Sequence, residues 1–342
     1  MTSIKDVARS VGVSTATVSR ALRGLPRVSD STRDRVLRAA ADLDYVPSPS
    51  AAALAGGRTR AVGVVVPFVS RWFFASVVQG AEALFREAGY DLVLYNLAGD
   101  PESRRRVFEG HLLRRRVDAV LVLSLTPKPA EVAALSLLQR PVAVIGATVP
   151  GWASVRIDDR QAACTAMGHL LSLGHRRIAH LGGVMVGELD FAAPRDRLLG
   201  YRHSMRAAGL AVRPGWEVEA DFTVHGGARA MAALLASDPP DLPTAVFAAS
   251  DEMAIGAVAA VRQAGLRVPD DISVIGVDDH EMAEFFGLTT VAQPTRDQGR
   301  LAAEMLLAAM AAGGPYDGGP PSRVVPTTLV VRATTAPPPS GG

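Results

Sequence analysis

Residues 3–24 read Ser-Ile-Lys-Asp-Val-Ala-Arg-Ser-Val-Gly-Val-Ser-Thr-Ala-Thr-Val-Ser-Arg-Ala-Leu-Arg-Gly, the pattern of two short helices joined by a glycine turn. Ser3 with Asp6 three residues on resembles a capping box. Ile4, Val7, Ala8 and Val11 then recur at helical spacing as one apolar stripe. Gly12 can take the left-handed conformation that ends the first helix, and Ser14 is placed to cap the second. On a wheel of about 100° per residue, Val18, Ala21 and Leu22 fall on one side of that second helix. Ala16, Ser19, Arg20 and Arg23 fall on the other, with Thr15 at the edge. A face of small residues plus arginine fits deep in a DNA major groove. There Arg20 can grip guanine O6 and N7 bidentately, and Thr15 and Ala16 can meet thymine methyl groups. Thr17 and Ser19 complete the expected DNA-reading set. An ordinary surface hairpin of helices carries a similar pattern, so the surrounding residues decide.

Those surroundings favour DNA. Ser29-Asp-Ser-Thr-Arg predicts the start of a third amphipathic helix, with Val36, Leu37, Ala40 and Leu43 facing the first two. Tyr45-Val46-Pro47-Ser48-Pro49 and an alanine-rich stretch to Leu54 follow, ended by Gly56-Gly57. Ile4-Lys-Asp-Val-Ala, Val13-Ser-Thr-Ala-Thr-Val-Ser-Arg-Ala-Leu, Arg27-Val-Ser, Leu43-Asp-Tyr-Val-Pro and Leu54-Ala-Gly are the informative words. Through them residues 2–60 resemble the DNA-binding headpiece of the lactose-repressor (LacI/GalR) family of bacterial transcription regulators.

Charge agrees with this reading. Residues 1–60 hold ten Lys/Arg against five Asp/Glu, a net of +5, whereas residues 61–342 hold 26 against 29, a net of −3. The positive charge is concentrated where phosphates must be neutralised. A chain of 342 residues, 48% hydrophobic, suits two or three domains with a large core. Cys164 is the sole cysteine, which excludes an internal disulfide and fits a reducing cytoplasm. Neither an N-terminal signal peptide nor an apolar run of about 18 residues is visible, so export and membrane spanning are not expected.

Beyond residue 60 the chain alternates strands and helices. Ala61–Val66 is a β-rich run and Phe74–Glu87 a helix; Asp91–Tyr95, Ala119–Leu123 and Val142–Ile145 are further buried runs. A second series runs through Arg177–Leu181, Glu217–Asp221, Ala245–Ala249 and Ser273–Val277. Alternation of this kind predicts doubly wound parallel sheets with helices on both faces. Two series predict two lobes with a cleft at the carboxyl ends of their strands. The family resemblance continues through Gly174-His-Arg-Arg-Ile-Ala, Thr244-Ala-Val-Phe-Ala, Gly265-Leu-Arg-Val-Pro, Ile272-Ser-Val-Ile-Gly-Val-Asp-Asp, Leu288-Thr-Thr-Val and Leu329-Val-Val-Arg.

The resemblance implies an α/β chain: an all-α helix-turn-helix headpiece (1–47), a hinge helix and linker (48–60), and a periplasmic-binding-protein-like body (61–335). The body's first lobe takes about 61–158 and 291–322 and its second about 159–290 and 323–335, with crossings near Asp158, Thr290 and Arg323. Residues 336–342, Ala-Pro-Pro-Pro-Ser-Gly-Gly, are expected to be a disordered tail. It further implies a cytoplasmic repressor on the bacterial nucleoid, binding a palindromic double-stranded operator as a homodimer, or a tetramer. A small-molecule effector between the lobes, a sugar, controls it. A nucleoside or purine effector, an activating role, and a sugar-binding protein without any DNA role are the alternatives.

For the effector, the resemblance nominates residues where strands end. Phe73 and Phe74 line the first strand's exit or pack its helix. Arg197 pairs with effector oxygens, Phe222 stacks on a ring, and Asp278 accepts hydrogen bonds from hydroxyls or amines. Gln293 contacts ligand or braces a crossing. Ser250-Asp251 stands where relatives carry Asn-Asp, so a ligand-binding amide has become a hydroxyl. Arg71-Trp72-Phe73-Phe74 replaces the common Asn-Pro-Phe-Phe. Charged bidentate groups and flat apolar faces together suit a sugar. In the hinge, Pro49–Leu54 is too short a helix to stand alone in water, so it is expected to fold on DNA against a second copy. Leu54 is then the wedge that enters the minor groove, although Ala52 and Ala53 stand where many relatives place polar residues.

Other signals read as structure. His169, His175 and His180 fit no metal-site spacing. Asp158-Asp159, Asp270-Asp271 and Asp278-Asp279 lack a partnered nucleophile. Gly182-Gly183 is not a dinucleotide fingerprint, and Arg104–Arg106 and Arg114–Arg116 read as solvated faces. No enzyme activity, cofactor or metal is expected.

Overall fold

The computed structural model describes residues 2–45, 58–109, 113, 116–183, 191–236, 242–316 and 319–339. Its contacts divide the chain into two units, residues 1–60 and 61–342. The expected hinge helix, with Ala52, Ala53 and Leu54, lies outside the described residues, as do Arg114, Arg115 and the last three positions.

In the first unit, α1 (Ile4–Val11), α2 (Thr15–Leu22) and α3 (Asp30–Asp42) close on one small core. The Ser3 backbone N–H donates to the Asp6 carboxylate at 3.0 Å, and Gly12 ends α1 at φ 72°. Ser14 and Ser29 cap the next two helices by accepting from Thr17 N–H at 3.1 Å and Thr32 N–H at 3.3 Å. Val7, Ala8, Val11, Val18, Ala21, Val36 and Ala40 are buried together, with Leu22 and Leu43 packed against them. Leu37 is a correction: it is 47% exposed, because one turn of α3 offers the core only Val36 and Ala40, and Leu37 follows Val36 by about 100°.

The second unit holds two six-stranded sheets. The first comprises β1 (Ala61–Val66), β2 (Asp91–Asn96), β3 (Ala119–Leu123), β4 (Val142–Ile145), β5 (Ala153–Arg156) and β11 (Ser322–Val324), in spatial order 11-5-4-3-1-2. The second comprises β6 (Ile178–Gly183), β7 (Glu217–Ala220), β8 (Ala245–Ala248), β9 (Ser273–Asp278), β10 (Thr289–Ala292) and β12 (Thr328–Val330), in order 12-10-9-8-6-7. All pairs are parallel except the edge pair β10–β12. β1, β3 and β4 are Val/Ile/Leu/Ala runs buried throughout, as strands covered on both faces require.

Helices α4 (Trp72–Glu87), α5 (Pro101–Phe108), α6 (Pro129–Ser136) and α12 (Thr295–Ala312) serve the first lobe. Helices α7 (Asp159–Ser172), α8 (Ala192–Ala207), α9 (Val224–Leu235), α10 (Asp251–Gln263) and α11 (Ala283–Phe286) serve the second. Gly80 and Gly299 let α4 and α12 touch backbone to backbone; a Cβ on either would sit 2.0 Å from a carbonyl oxygen of the other helix.

Several expectations change. β5, β10, β11 and β12 go beyond the predicted strands; each has only three or four residues, too short to show a period of its own. Val291 and Ala292 remain in the second sheet, so the chain crosses at Gln293–Pro294, after Thr290. Val324 still pairs with the first sheet, so the last crossing follows Arg323. α4 begins at Trp72, two residues before Phe74. Ala336 is tied by its N–H to Ser273 Oγ at 3.0 Å and its carbonyl accepts from His175 Nε2 at 2.8 Å, so order extends past residue 335. Arg104 is not solvated: it is 2% exposed and grips Glu131 with two bonds of 2.7 Å, joining α5 to α6.

Candidate functional site

On α2, Thr15, Ala16 and Arg20 are exposed, Ser19 and Thr17 half-buried, and Val18 and Ala21 face the core. The Arg20 side chain has no hydrogen-bond or ion-pair partner among the described residues. Thr17 is engaged with its own cap, its hydroxyl 2.9 Å from Ser14 Oγ. The outward face of α2 is therefore Thr15, Ala16 and Arg20, with Ser19 partly exposed beside them.

In the second unit a cavity of about 330 Å³ opens between the lobes, and Phe73, Phe74, Arg197, Phe222, Ser250, Asp278 and Gln293 all line it. These residues follow or end different strands, or begin helices, at the edge where strand order reverses at β1/β3 and β6/β8. That is where parallel sheets part and leave backbone groups and side chains facing a crevice.

Arg197, near the start of α8, is 4% exposed. Its Nε donates to Asp159 Oδ1 at 2.8 Å, and Nη1 donates to the Ala249 carbonyl. The same Nη1 stands 3.7 Å from Asp278 Oδ1. Asp278 accepts from Gln293 Nε2 at 2.6 Å, and Gln293 Oε1 accepts from Gln298 Nε2 at 2.9 Å. Since Gln298 sits on α12, this relay runs from the second lobe into the first. Gln293 thus both lines the cavity and braces the crossing.

Asp278 and Asp279 lie at φ 135° and 58°, left-handed conformations that cost roughly 1–3 kcal/mol each without glycine. Neighbours hold the turn. Asp251 accepts from His280 N–H at 2.8 Å and Thr290 Oγ1 at 2.7 Å, and Arg332 donates to Asp279 at 2.7 Å. Burial pushes the Asp251 and Asp278 carboxyls above the usual range; repulsion from Asp278 adds to it at Asp251, while Arg197 pulls Asp278 back. Burial likewise raises Asp159 against the pull of Arg197.

The aromatic walls are built separately. Phe222 has φ 57°, and its ring lies on Gly183, where a Cβ would come within 1.8 Å of it. Phe73 and Phe74 meet edge to face with centroids 5.3 Å apart; Phe74 is also part of the first lobe's core. Ser250 is 3% exposed and its Oγ caps α10 by accepting from Met253 N–H at 3.3 Å.

The sequence did not nominate Phe68, Asp159, Phe191, Glu252 or Gln298, which also line the cavity together with Arg71. Arg71 stood out only as a departure from the family pattern. It donates to the Asp221 carbonyl at 3.3 Å, and the neighbouring Trp72 lies 4.7 Å from the His280 ring, so both reach from the first lobe to the second. Burial pushes the Glu252 carboxyl up to about 7, against the pull of Arg71. Among the described residues no group of three or more His, Cys, Asp or Glu is placed to hold a metal. Nor is any described helix long and apolar enough to cross a membrane.

Comparison with known proteins places both units. Residues 3–48 match the model of bacterial regulatory proteins, lacI family, and residues 167–335 match the periplasmic binding protein-like domain. The ribose operon repressor of Haemophilus influenzae is 34% identical, across 90% of this chain and 91% of that protein. The chain belongs to the lacI family of bacterial regulatory proteins. The transcriptional repressor CytR of Escherichia coli is 36% identical over 90% of this chain and 89% of its own length. Among solved structures, the lac repressor dimer bound to operator and the anti-inducer ONPF superposes with a TM-score of 0.83 at 27% identity, covering 98% of this chain and 99% of that one. This regulator is accordingly a DNA-binding transcription factor with an effector-binding body.

Proposed function

We propose that this regulator is a repressor that binds a palindromic operator as a dimer through α2, and that a sugar in the cavity between the lobes controls that binding. The cavity carries the proposal: the relay Arg197–Asp278–Gln293 sets charged and amide groups beside phenylalanine rings, the pairing that holds hydroxyls and pyranose faces together. Two headpieces reading two half-sites require an inverted repeat. Leu54 wedges a central base step of the operator; Leu54→Ala lowers operator bending in a circular-permutation assay, and unchanged bending removes that role.

Ligand binding that favours one arrangement of the lobes shifts DNA affinity by the same coupling energy, about 1–3 kcal/mol or roughly 5–150-fold. The body catalyses nothing in this scheme, and the protein acts in the bacterial cytoplasm on nucleoid DNA. A nucleoside effector is the second reading. It is favoured by the phenylalanine rings lining the cavity, on whose faces a base can stack. Gel shifts on a selected inverted repeat, with and without monosaccharides, disaccharides and nucleosides, test both. A sugar that changes the shift supports the proposal; a response to nucleosides alone replaces the sugar, and none to either class removes both.

A further inference from the structure

From the polar groups of the cavity we infer that Glu252 is its specificity determinant, selecting an effector that presents an amino group, as an ammonium or an exocyclic amine. The counterpart with a carbonyl or hydroxyl at that position is discriminated against. The inference rests on the cavity being the effector site proposed above.

The other acids of the cavity are already engaged. Asp159 holds Arg197 Nε at 2.8 Å, and Asp278 receives Gln293 at 2.6 Å. Asp221 accepts from the Thr223 hydroxyl and from Arg229, the latter at 3.0 Å. Glu252, the second residue of α10, differs. It is half-buried and has no hydrogen bond or ion pair among the described residues. Arg71 acts on it only through space. That guanidinium sits over the Phe68 ring, 5.5 Å from its centroid, and donates to the Asp221 carbonyl.

A carboxylate partly withdrawn from water without donors is costly, and a ligand that brings N–H groups removes the cost. Five phenylalanines line the same cavity, and their ring faces attract cations. An ammonium therefore gains on both counts, and an uncharged exocyclic amine on the first alone. A hydroxyl donates without charge, and a carbonyl opposes the carboxylate lone pairs. The charged groups facing Glu252 are Arg71 from the first lobe and Asp221 and Asp278 from the second. Burial and the two aspartates outweigh Arg71, so Glu252 is partly protonated near neutrality, and a cationic partner draws it to the carboxylate.

Isothermal titration of the full-length protein with three matched pairs tests this: glucosamine against glucose, cytidine against uridine, and adenosine against inosine. In at least one pair the amino member binds about tenfold tighter or more, the scale of one hydrogen bond to a charged group. Glu252→Gln, checked for folding by its thermal transition, removes that preference. Affinity for the preferred compound rises between about pH 5.5 and 7 in wild type as the carboxyl ionises. If Glu252→Gln does not fold, Glu252→Ala takes its place, and the wild-type preference with its pH rise decides in either case. Equal affinities within every pair, preference for the oxygen member, binding of none of the six, or a preference that survives substitution overturns the inference. Protein that still shifts a selected inverted repeat, and is released by glucose or uridine, leaves the effector reading standing without the role of Glu252.

Discussion

The two units carry their functional groups on opposite sides of their packing. In the headpiece seven small side chains make the core, and every group suited to contact, Arg20 foremost, points away from it. In the body the relation is reversed: Arg197, Ser250, Asp278 and Gln293 are each 3–6% exposed. Size explains the difference. A domain of about 45 residues buries too little surface to shelter charges, so it recognises its partner with a rigid exposed face. Two six-stranded sheets can enclose charged groups at their strand ends, where Arg197 is paired with Asp159 and Asp278.

That contrast can be broken most directly at Arg197. Replacing it with alanine leaves Asp159 and Asp278 buried without their cation, and we expect a loss of about 3–5 kcal/mol in the body's denaturant unfolding transition. A loss below 1 kcal/mol shows the site is wetter than its burial implies. On the headpiece, Arg20→Ala leaves stability nearly unchanged, since its side chain touches no partner among the described residues. It costs about 1–3 kcal/mol in operator binding and relaxes one base preference, read by shifts on a panel of operator variants. Equal weakening on every DNA means a phosphate contact instead. Asp278→Ala removes the effector response, forfeiting the coupling of about 1–3 kcal/mol; a retained response in the gel shift takes Asp278 out of the site.

The two units also differ in how their stability responds to pH. Carboxyls raised by folding stabilise the native state at acid pH and lose that contribution as pH climbs through their folded values. Asp251, Asp278 and Glu252, the last at about 7, all shift upward. The ligand-free body's melting temperature should thus fall between about pH 5 and 7, and less steeply in Glu252→Gln. A midpoint that rises over that window contradicts the assignment. The exposed acids of the headpiece contribute in the other direction, as at Asp6, whose carboxyl the Ser3 hydroxyl and N–H hold down.

Much of this was legible in the sequence because local rules and tertiary packing agree there. Ser3, Ser14 and Ser29 occur where caps are needed, and the spacing of Val7, Val11, Val18 and Val36 marks one core. The strands Ala119–Leu123 and Val142–Ile145 stand at their predicted ends, because both-face burial makes an uninterrupted apolar run. Six of the seven nominated cavity residues meet because each follows or ends a strand, or stands at the start of a helix, at the carboxyl edge of a sheet, and Arg197 joins them from the second turn of α8. What stayed hidden depends on partners distant in sequence. Arg104 looks like its exposed neighbours until Glu131, on another helix, turns it inward. Nothing near Glu252 announces that its neighbours' charges are already satisfied, and the twist at Asp278–Asp279 is fixed by Asp251, Gln293 and Arg332.

On the proposal above, an exposed headpiece face reads one DNA sequence and the enclosed cavity adjusts its grip. In vitro selection from random duplex, followed by binding at physiological salt, measures it directly. An inverted repeat should bind at least about 10³-fold more tightly than random DNA, with a cavity ligand moving that affinity in wild type and not in Asp278→Ala. Recovery of no inverted repeat, or equal binding to selected and random duplex, contradicts it.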